Sequence, residues 1–406
     1  MQTQTRPPAR PGQLSVPEFV AMLAVLFATV AFSIDAMLPA LPEIAAELTP
    51  SDVNRAQLIL TAFVAGMGLG TAGVGAISDA IGRKRAILLG STVYILASIG
   101  AIYADTLEML LLTRFVQGMG ASGPRIAGTA MVRDMFSGRE MARITSLVMM
   151  IFIMIPALAP TLGQLIMDTA GSWRAVFGAF VLFGAVGAGW VMLRQPETLP
   201  PERRVPLNLT NLARSAREVL SNRQVMLCTL VLTFGFGQMF ALLSSAPQLF
   251  GETYGRADSF PQWFAVMALL SGPGTILNAR YVMRYGMRRI ARWAYAMQIV
   301  ASTLGLLLVG TGALHGDAAF YGFFLWAVSV FFMAGVTFGN LNALALQHMP
   351  HLAGMTASIV AALSSLGAVV IAAPVGLAFD GTARPIMLAT LICSALAWVL
   401  MARLRD

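Results

Sequence analysis

Charge is the scarcest thing in this chain. Only 11% of its 406 residues are Asp, Glu, Lys or Arg, against 57% that are hydrophobic. No water-soluble fold has enough polar surface to cover such a composition. Polar stretches are short as well. The longest, Arg194–Gln224, is too small to be a soluble catalytic domain. Cysteine is limited to Cys228 and Cys393, both inside apolar stretches, which argues for small buried hydrophobes over a disulfide or a metal site. The three histidines, His315, His348 and His351, fall in short loops, where solvation is expected rather than ligation. Lysine is nearly missing: of 27 basic residues only Lys84 is not arginine, a bias of composition and not of mechanism.

What fills the chain is apolar sequence. Twelve stretches are each long enough to cross a bilayer: roughly 18–39, 56–78, 86–104, 109–131, 144–167, 174–193, 225–247, 261–282, 292–312, 318–345, 354–378 and 385–402. Within lipid each backbone polar group must be satisfied inside its own segment, so the stretches are expected to be helices. The run Phe19–Ile34 follows Arg6 and Arg10, exceeds a signal-peptide core in length and lacks a small-x-small cleavage site. It reads as an uncleaved first span.

The net charge of +8 is distributed by topology, which argues against nucleic acid as its cause. If the N-terminus is cytoplasmic, 21 of the 27 basic residues fall on cytoplasmic segments. The opposite side holds only Arg55, Arg174, Arg256 and Arg384, and Arg114 and Arg125 lie inside a span. By the positive-inside rule both termini should face the cytoplasm.

The gap in the middle divides the chain into an N-terminal six-helix bundle (1–193), a cytoplasmic linker (194–224) and a C-terminal six-helix bundle (225–406). Within the linker, Leu209, Leu212, Ala213, Ala216, Val219 and Leu220 have roughly helical spacing. Arg214, Arg217 and Arg223 could meet anionic headgroups from such a helix. The halves echo one another. Gly82-Arg83-Lys84-Arg85 follows the second span and Gly286-Met287-Arg288-Arg289 the eighth, while Ala159-Pro160 in the fifth matches Ala373-Pro374 in the eleventh. Such same-direction repeats fit two halves related by an axis along the membrane normal.

The loop after the second span reads Gly75-Ala-Ile-Ser-Asp79-Ala-Ile-Gly82-Arg83-Lys84-Arg85. Gly82 permits a tight turn, Asp79 can pair with a basic group, and the arginines hold the cytoplasmic face. This loop resembles the signature loop of the major facilitator superfamily, with Ala80 where that family often has a basic residue. Arg114-Phe-Val-Gln117-Gly118 is similar to the fourth-helix motif of its proton-coupled exporters. Pro156-Ala-Leu-Ala-Pro160-Thr-Leu-Gly163 resembles the antiporter motif in the form used by the bicyclomycin/chloramphenicol-resistance branch. Ser33-Ile-Asp35-Ala-Met-Leu-Pro39-Ala-Leu-Pro42, Val132-Arg133-Asp134 and Trp173-Arg174 fit the same branch. Gln164 stands where a second glycine is usual, and Arg125 where an apolar residue is expected. The resemblance implies an all-α membrane protein of twelve transmembrane helices, an exporter of small amphipathic compounds driven by the proton gradient. It would need no cofactor and would sit as a monomer in a bacterial inner membrane.

The residues suggest roles for the buried charges. Asp35 is the only acid well inside a first-half span. It should therefore face the bundle interior or a wet cavity, where a carboxyl group can exchange protons between two aqueous sides. The competing reading is an Asp at a helix end in outer water. Arg114 is its natural partner, with Gln117 one turn on; the alternative is an interfacial arginine that snorkels. Arg125 follows Arg114 by nearly three full turns, about 16 Å along one helix face. On a cavity wall it would repel cationic substrates; otherwise it pairs locally, for instance with a backbone carbonyl. Gln238, Ser244, Ser245, Gln298, Asn340 and Asn342 are candidates to line the C-terminal side, although helix–helix contacts would explain them equally well. Two rival functions stay open: a proton-coupled carrier of an endogenous metabolite, and an intramembrane enzyme or receptor. The second would need a catalytic constellation within the spans, and none is visible in the sequence.

Overall fold

The computed structural model describes residues 14–404, so Arg6, Arg10 and Arg405 lie outside the described residues. Among the described residues all regular structure is helical: α1 (Val16–Asp35), α2 (Leu41–Leu48), α3 (Leu58–Ile81), α4 (Arg83–Ile102), α5 (Leu107–Met135), α6 (Gly138–Ala170), α7 (Arg174–Arg194), α8 (Leu209–Ser221), α9 (Arg223–Gln248), α10 (Phe260–Ser271), α11 (Pro273–Tyr285), α12 (Met287–Thr311), α13 (Gly316–Gln347), α14 (Ala353–Leu377) and α15 (Arg384–Met401).

Ten of the expected crossings are single helical segments long and apolar enough to span a membrane. The remaining two are the informative ones. The fourth is α5, whose length suffices but whose interior carries Arg114, Arg125 and several glycines. The eighth is divided at Gly272-Pro273 into α10 and α11, of 12 and 13 residues. Proline cannot donate the bond that would join them, and neither half alone reaches across the roughly 30 Å of hydrocarbon. Pro39 and Pro42 act differently. They stand in the first turns of a short 3-10 segment and of α2, where no N–H is needed, so the first span continues past Asp35 as a bent extension.

In the first half α5 packs on α3 and α4, α4 on α7, and α1 on α6. In the second half α9 packs on α13, α14 and α15, and α12 on α13 and α15. The halves meet along α3 with α14 and along α6 with α10. The sequence echo is also a structural one. Gly82 and Gly286 each join two helices through one residue at positive φ, +102° and +81°, a conformation in which a Cβ is strained. Two residues after each glycine a cation reaches the end of its half's last helix. Lys84 Nζ donates to the carbonyl of Met192 (2.9 Å) and Arg288 Nε to that of Met401 (3.1 Å). Both meet the negative end of a helix.

Helices α3 and α5 approach closely because glycine faces backbone. A Cβ on Gly118 would overlap the carbonyl of Phe63, with the amide nitrogen of Met67 at 2.8 Å. Gly189 in α7 has nothing within 4 Å of such a Cβ. Gly118→Ala should therefore lower stability by about 1–3 kcal/mol through overpacking. Gly189→Ala should be neutral or stabilising by up to ~1 kcal/mol through helix propensity. Thermal unfolding of both variants in detergent measures the contrast; equal melting temperatures would refute it.

Candidate functional site

Arg114 lies two turns into α5 and is fully buried. Its Nη2 donates to the carbonyl of Ser33 (3.0 Å), its Nη1 to Gln117 Oε1, and its Nε to the carbonyl of Ile59 (3.5 Å). The guanidinium also stands over the Phe63 ring at 4.5 Å. Gln117 passes the network on, donating through Nε2 to Ser98 Oγ (2.6 Å), and Ser33 Oγ meets the Tyr94 hydroxyl at 2.6 Å. One arginine thus ties together α1, α3, α4 and α5. Complete burial excludes a snorkelling side chain.

Asp35 is the last residue of α1, 5% exposed, and among the described residues no hydrogen bond or ion pair reaches its carboxylate. The expected pairing with Arg114 is not formed. Ser33 and Asp35 are two positions apart on one helix, so they point to different sides, and the guanidinium takes the Ser33 side. Its donors are met by carbonyl groups, an amide and an aromatic face. The antiporter-like segment completes the neighbourhood. Pro156 and Pro160 lie inside α6, Pro160 is buried, and a Cβ on Gly163 would overlap the carbonyl of Ala36, the residue after Asp35. Gln164, the departure in that segment, bonds locally to Asp168 (2.7 Å).

Arg125 is exposed, and its Nη1 lies 3.7 Å from the Met67 sulfur of α3. No local carbonyl pairing is seen among the described residues. Its Cα lies ~27 Å along α5 from Leu107 and ~15 Å from Met135, well inside the span.

In the signature-type loop the pairing expected of Asp79 is present, with Arg83. Arg83 is not a surface residue holding the face. It is 8% exposed and also donates to Asp134 (2.9 Å) and Ser78 (3.1 Å), while Arg85 is exposed. Gly75 faces Ser358 of α14. Of the histidines, His315 and His351 are exposed as expected, and His348 departs from expectation. His351 pairs with Glu218 (2.8 Å), and His348 has its Nε2 buried without a partner.

Three of the six C-terminal candidates are helix-to-helix contacts, and Ser244 and Asn342 bond carbonyls of their own helices (3.1 and 2.9 Å). Gln238 accepts from Ser394 (3.0 Å), Gln298 from Ser329 (3.0 Å), and Asn340 donates to Asn278 (2.7 Å). Ser245 is different. It donates to Gln57 (2.8 Å), which bonds Gln248, which in turn donates to Asn54 (3.0 Å). Asn54 donates to the carbonyls of Leu377 (3.3 Å) and Phe379 (2.9 Å). This latch, whose Gln248 also donates to the Glu252 carboxylate (3.4 Å), joins the halves at the arginine-poor end, where residues 241–250 are all buried. At the arginine-rich end the first turn of α6 and much of α11 are exposed. The molecule is closed at the latch end. Sequence reasoning missed Asn54, Gln57 and Gln248; amides at the edges of apolar runs were the available signal.

Each latch bond contributes about 0.5–1.5 kcal/mol. Removing two through Gln57→Ala should raise the open population of this end by roughly five- to a hundredfold. In a Ser244→Cys background (Ser244 is 1% exposed), maleimide labelling should accelerate correspondingly, and an unchanged rate would count against the latch.

Comparison with known proteins gives the arrangement its family. A bicyclomycin resistance protein homolog of Haemophilus influenzae is 29% identical over 388 residues, 94% of this chain and 95% of that protein. Multidrug resistance protein D of Escherichia coli is 26% identical over 86% of both. YdgK, an uncharacterized MFS-type transporter of Bacillus subtilis, is 28% identical over 96% of both. Among solved structures, a D-xylose-proton symporter superposes with a TM-score of 0.76 at 13% identity, covering 96% of this chain and 98% of that one. The human organic anion transporter MFSD10 does so at 0.70 and 18%, covering 96% and 100%. The model of the Major Facilitator Superfamily matches residues 22–372, and the chain belongs to that superfamily of transporters.

Proposed function

We propose that this transporter exports small amphipathic compounds in exchange for protons. It would sit in a bacterial inner membrane with its arginine-rich end in the cytoplasm, both termini on that side, and work as a monomer. The two six-helix units, 1–193 and 225–406, rock about the site so that each end opens in turn. The observation that carries the reading is Asp35: a buried carboxylate with no partner among the described residues, set where α1 meets α6 and beside the Arg114 network. An unpaired acid at depth is costly unless water or protons reach it. It can give up its proton as substrate arrives and take one back from the other side. Relatives named for bicyclomycin and multidrug resistance support drug-like cargo.

Asp35→Asn should abolish substrate-driven proton release from proteoliposomes while leaving the protein folded. Release at the wild-type rate would remove Asp35 from the mechanism.

Arg125 supports a restriction on that cargo. A guanidinium has five N–H donors, which hydrocarbon would leave unmet, so an exposed arginine at this depth belongs beside a water-filled cavity. Its fixed charge disfavours monocations and tolerates neutral, zwitterionic or anionic compounds. The wild type should export a neutral drug in preference to a quaternary ammonium dye, Arg125→Ala should relax the bias, and Arg125→Lys should keep it. Equal export of dye and drug by the wild type would overturn the assignment.

A further inference from the structure

The linker between the halves is fastened at both ends, to different bodies. Its first part belongs to the N-terminal half. The Glu197 carboxylate accepts from the backbone amides of Arg83 (2.9 Å) and Lys84 (3.2 Å), the first residues of α4, and from Thr198 and Leu199 (both 3.0 Å) in its own loop. Thr198 donates to Asp134 (3.3 Å) on the same carboxylate oxygen that receives Arg83. The amide of Val205 donates to the carbonyl of Asp79 (3.1 Å), and Gln195 and Leu199 are buried.

There is a physical reason for an acid here. Helix α4 begins on Gly82, which has no side chain to cap it, and opens with Arg83, Lys84 and Arg85. Three cations at the positive end of a helix are unfavourable, and the leading amides lack partners. Glu197 answers both from outside the helix.

The second part of the linker belongs to the C-terminal half. Helix α8 packs on α9 and α14, with Val219 fully buried, and Glu218 bonds His351 in the turn leading into α14. Between Val205 and helix α8, whose named contacts are at Glu218 and Val219, the only non-helical residues are Pro206, Leu207 and Asn208, and all three are exposed. They have little slack. Arg204 (φ −71°, ψ 137°) and Asn208 (φ −112°, ψ 100°) are already extended, and proline fixes its own φ. The four steps from Val205 to Leu209 can span at most ~14 Å.

We propose that residues 195–221 form a strap that limits how far the arginine-rich end opens, with Glu197 as its fastening on the N-terminal half. The proposal rests on the halves moving relative to one another, not on proton coupling or on the nature of the cargo.

The test is a distance. Spin labels at Arg139→Cys and Arg289→Cys, both exposed, report the arginine-rich end; a pair at Tyr103→Cys and Asp380→Cys reports the other. Inserting Gly-Ser-Gly-Ser between Leu207 and Asn208 leaves every fastening intact and adds up to ~13 Å of reach. The longest distances at the arginine-rich end should grow by more than about 5 Å, a fraction of that added reach, with the opposite end unchanged or closer. Glu197→Ala should move the same distances in the same direction, and Glu197→Gln, which still accepts hydrogen bonds, should move them less. An unaltered distribution in the insertion variant overturns the strap, even if Glu197→Ala fails to fold. Loss of transport with altered distances leaves the strap standing and weighs on the function instead.

Discussion

Inside a bilayer a polar group must find its partner within the protein, and Arg114 shows how far that rule shapes this molecule. Five donors at full burial call for several acceptors, and the chain supplies them from three helices without spending a carboxylate. The consequence falls on Asp35. Had it paired with Arg114, as the sequence suggested, the acid would be locked in an ion pair. Because backbone and amide oxygens satisfy the arginine, the acid stays uncommitted, and an uncommitted acid can exchange a proton.

The second half builds a related knot without charge. Ser98 and Ser302 are 204 residues apart, as Gly82 and Gly286 are, and both serines receive side-chain donors from the next helix or their own. In the first half Ser98 receives from Gln117. In the second, Ser302 receives from Trp326 (3.0 Å) and Gln298 (3.3 Å), and Gln298 accepts from Ser329. The donor to Ser98 is thus an amide and a donor to Ser302 is an indole. The two knots thus differ in electrostatics. The buried knot of the first half contains a guanidinium, and that of the second is neutral.

How much of this could be read from the sequence follows from what each feature depends on. The spans were legible because lipid imposes a length and an apolar composition locally. The division of the eighth was written in Gly272-Pro273 but hidden by a continuous apolar run. The loop around Asp79 and Gly82 was legible because a one-residue turn needs glycine. The partners of Arg83 were only half legible: Asp79 is four residues away, whereas Asp134 and Glu197 come from other helices and loops. The Arg114 pairing was misread because charge attracts attention and backbone carbonyls leave no mark in a sequence. The latch was missed for a related reason. Asn54 and Gln248 are ordinary residues until folding sets them together.

The two ends of the molecule also differ in the chemistry that holds them, and this constrains how a proton can act. At the closed end the latch consists mainly of amides, a hydroxyl and backbone carbonyls, with the Glu252 carboxylate at its edge accepting from Gln248 (3.4 Å). A change in proton occupancy at Asp35 touches none of those bonds directly. It has to arrive through a contact that a titrating group shares with the moving parts. The end of α1 offers one: Asp35 is followed by Ala36, whose carbonyl lies against Gly163 of α6, and α6 is one of the helices on which the halves meet. Under the proposed exchange, a carboxylate that gains or loses charge there would act on a helix that also bears on α10 in the opposite half. The glycine and prolines of α6 then have a mechanical reason to be where they are. Close backbone contact at Gly163 transmits small displacements, and prolines within the helix give it a place to bend.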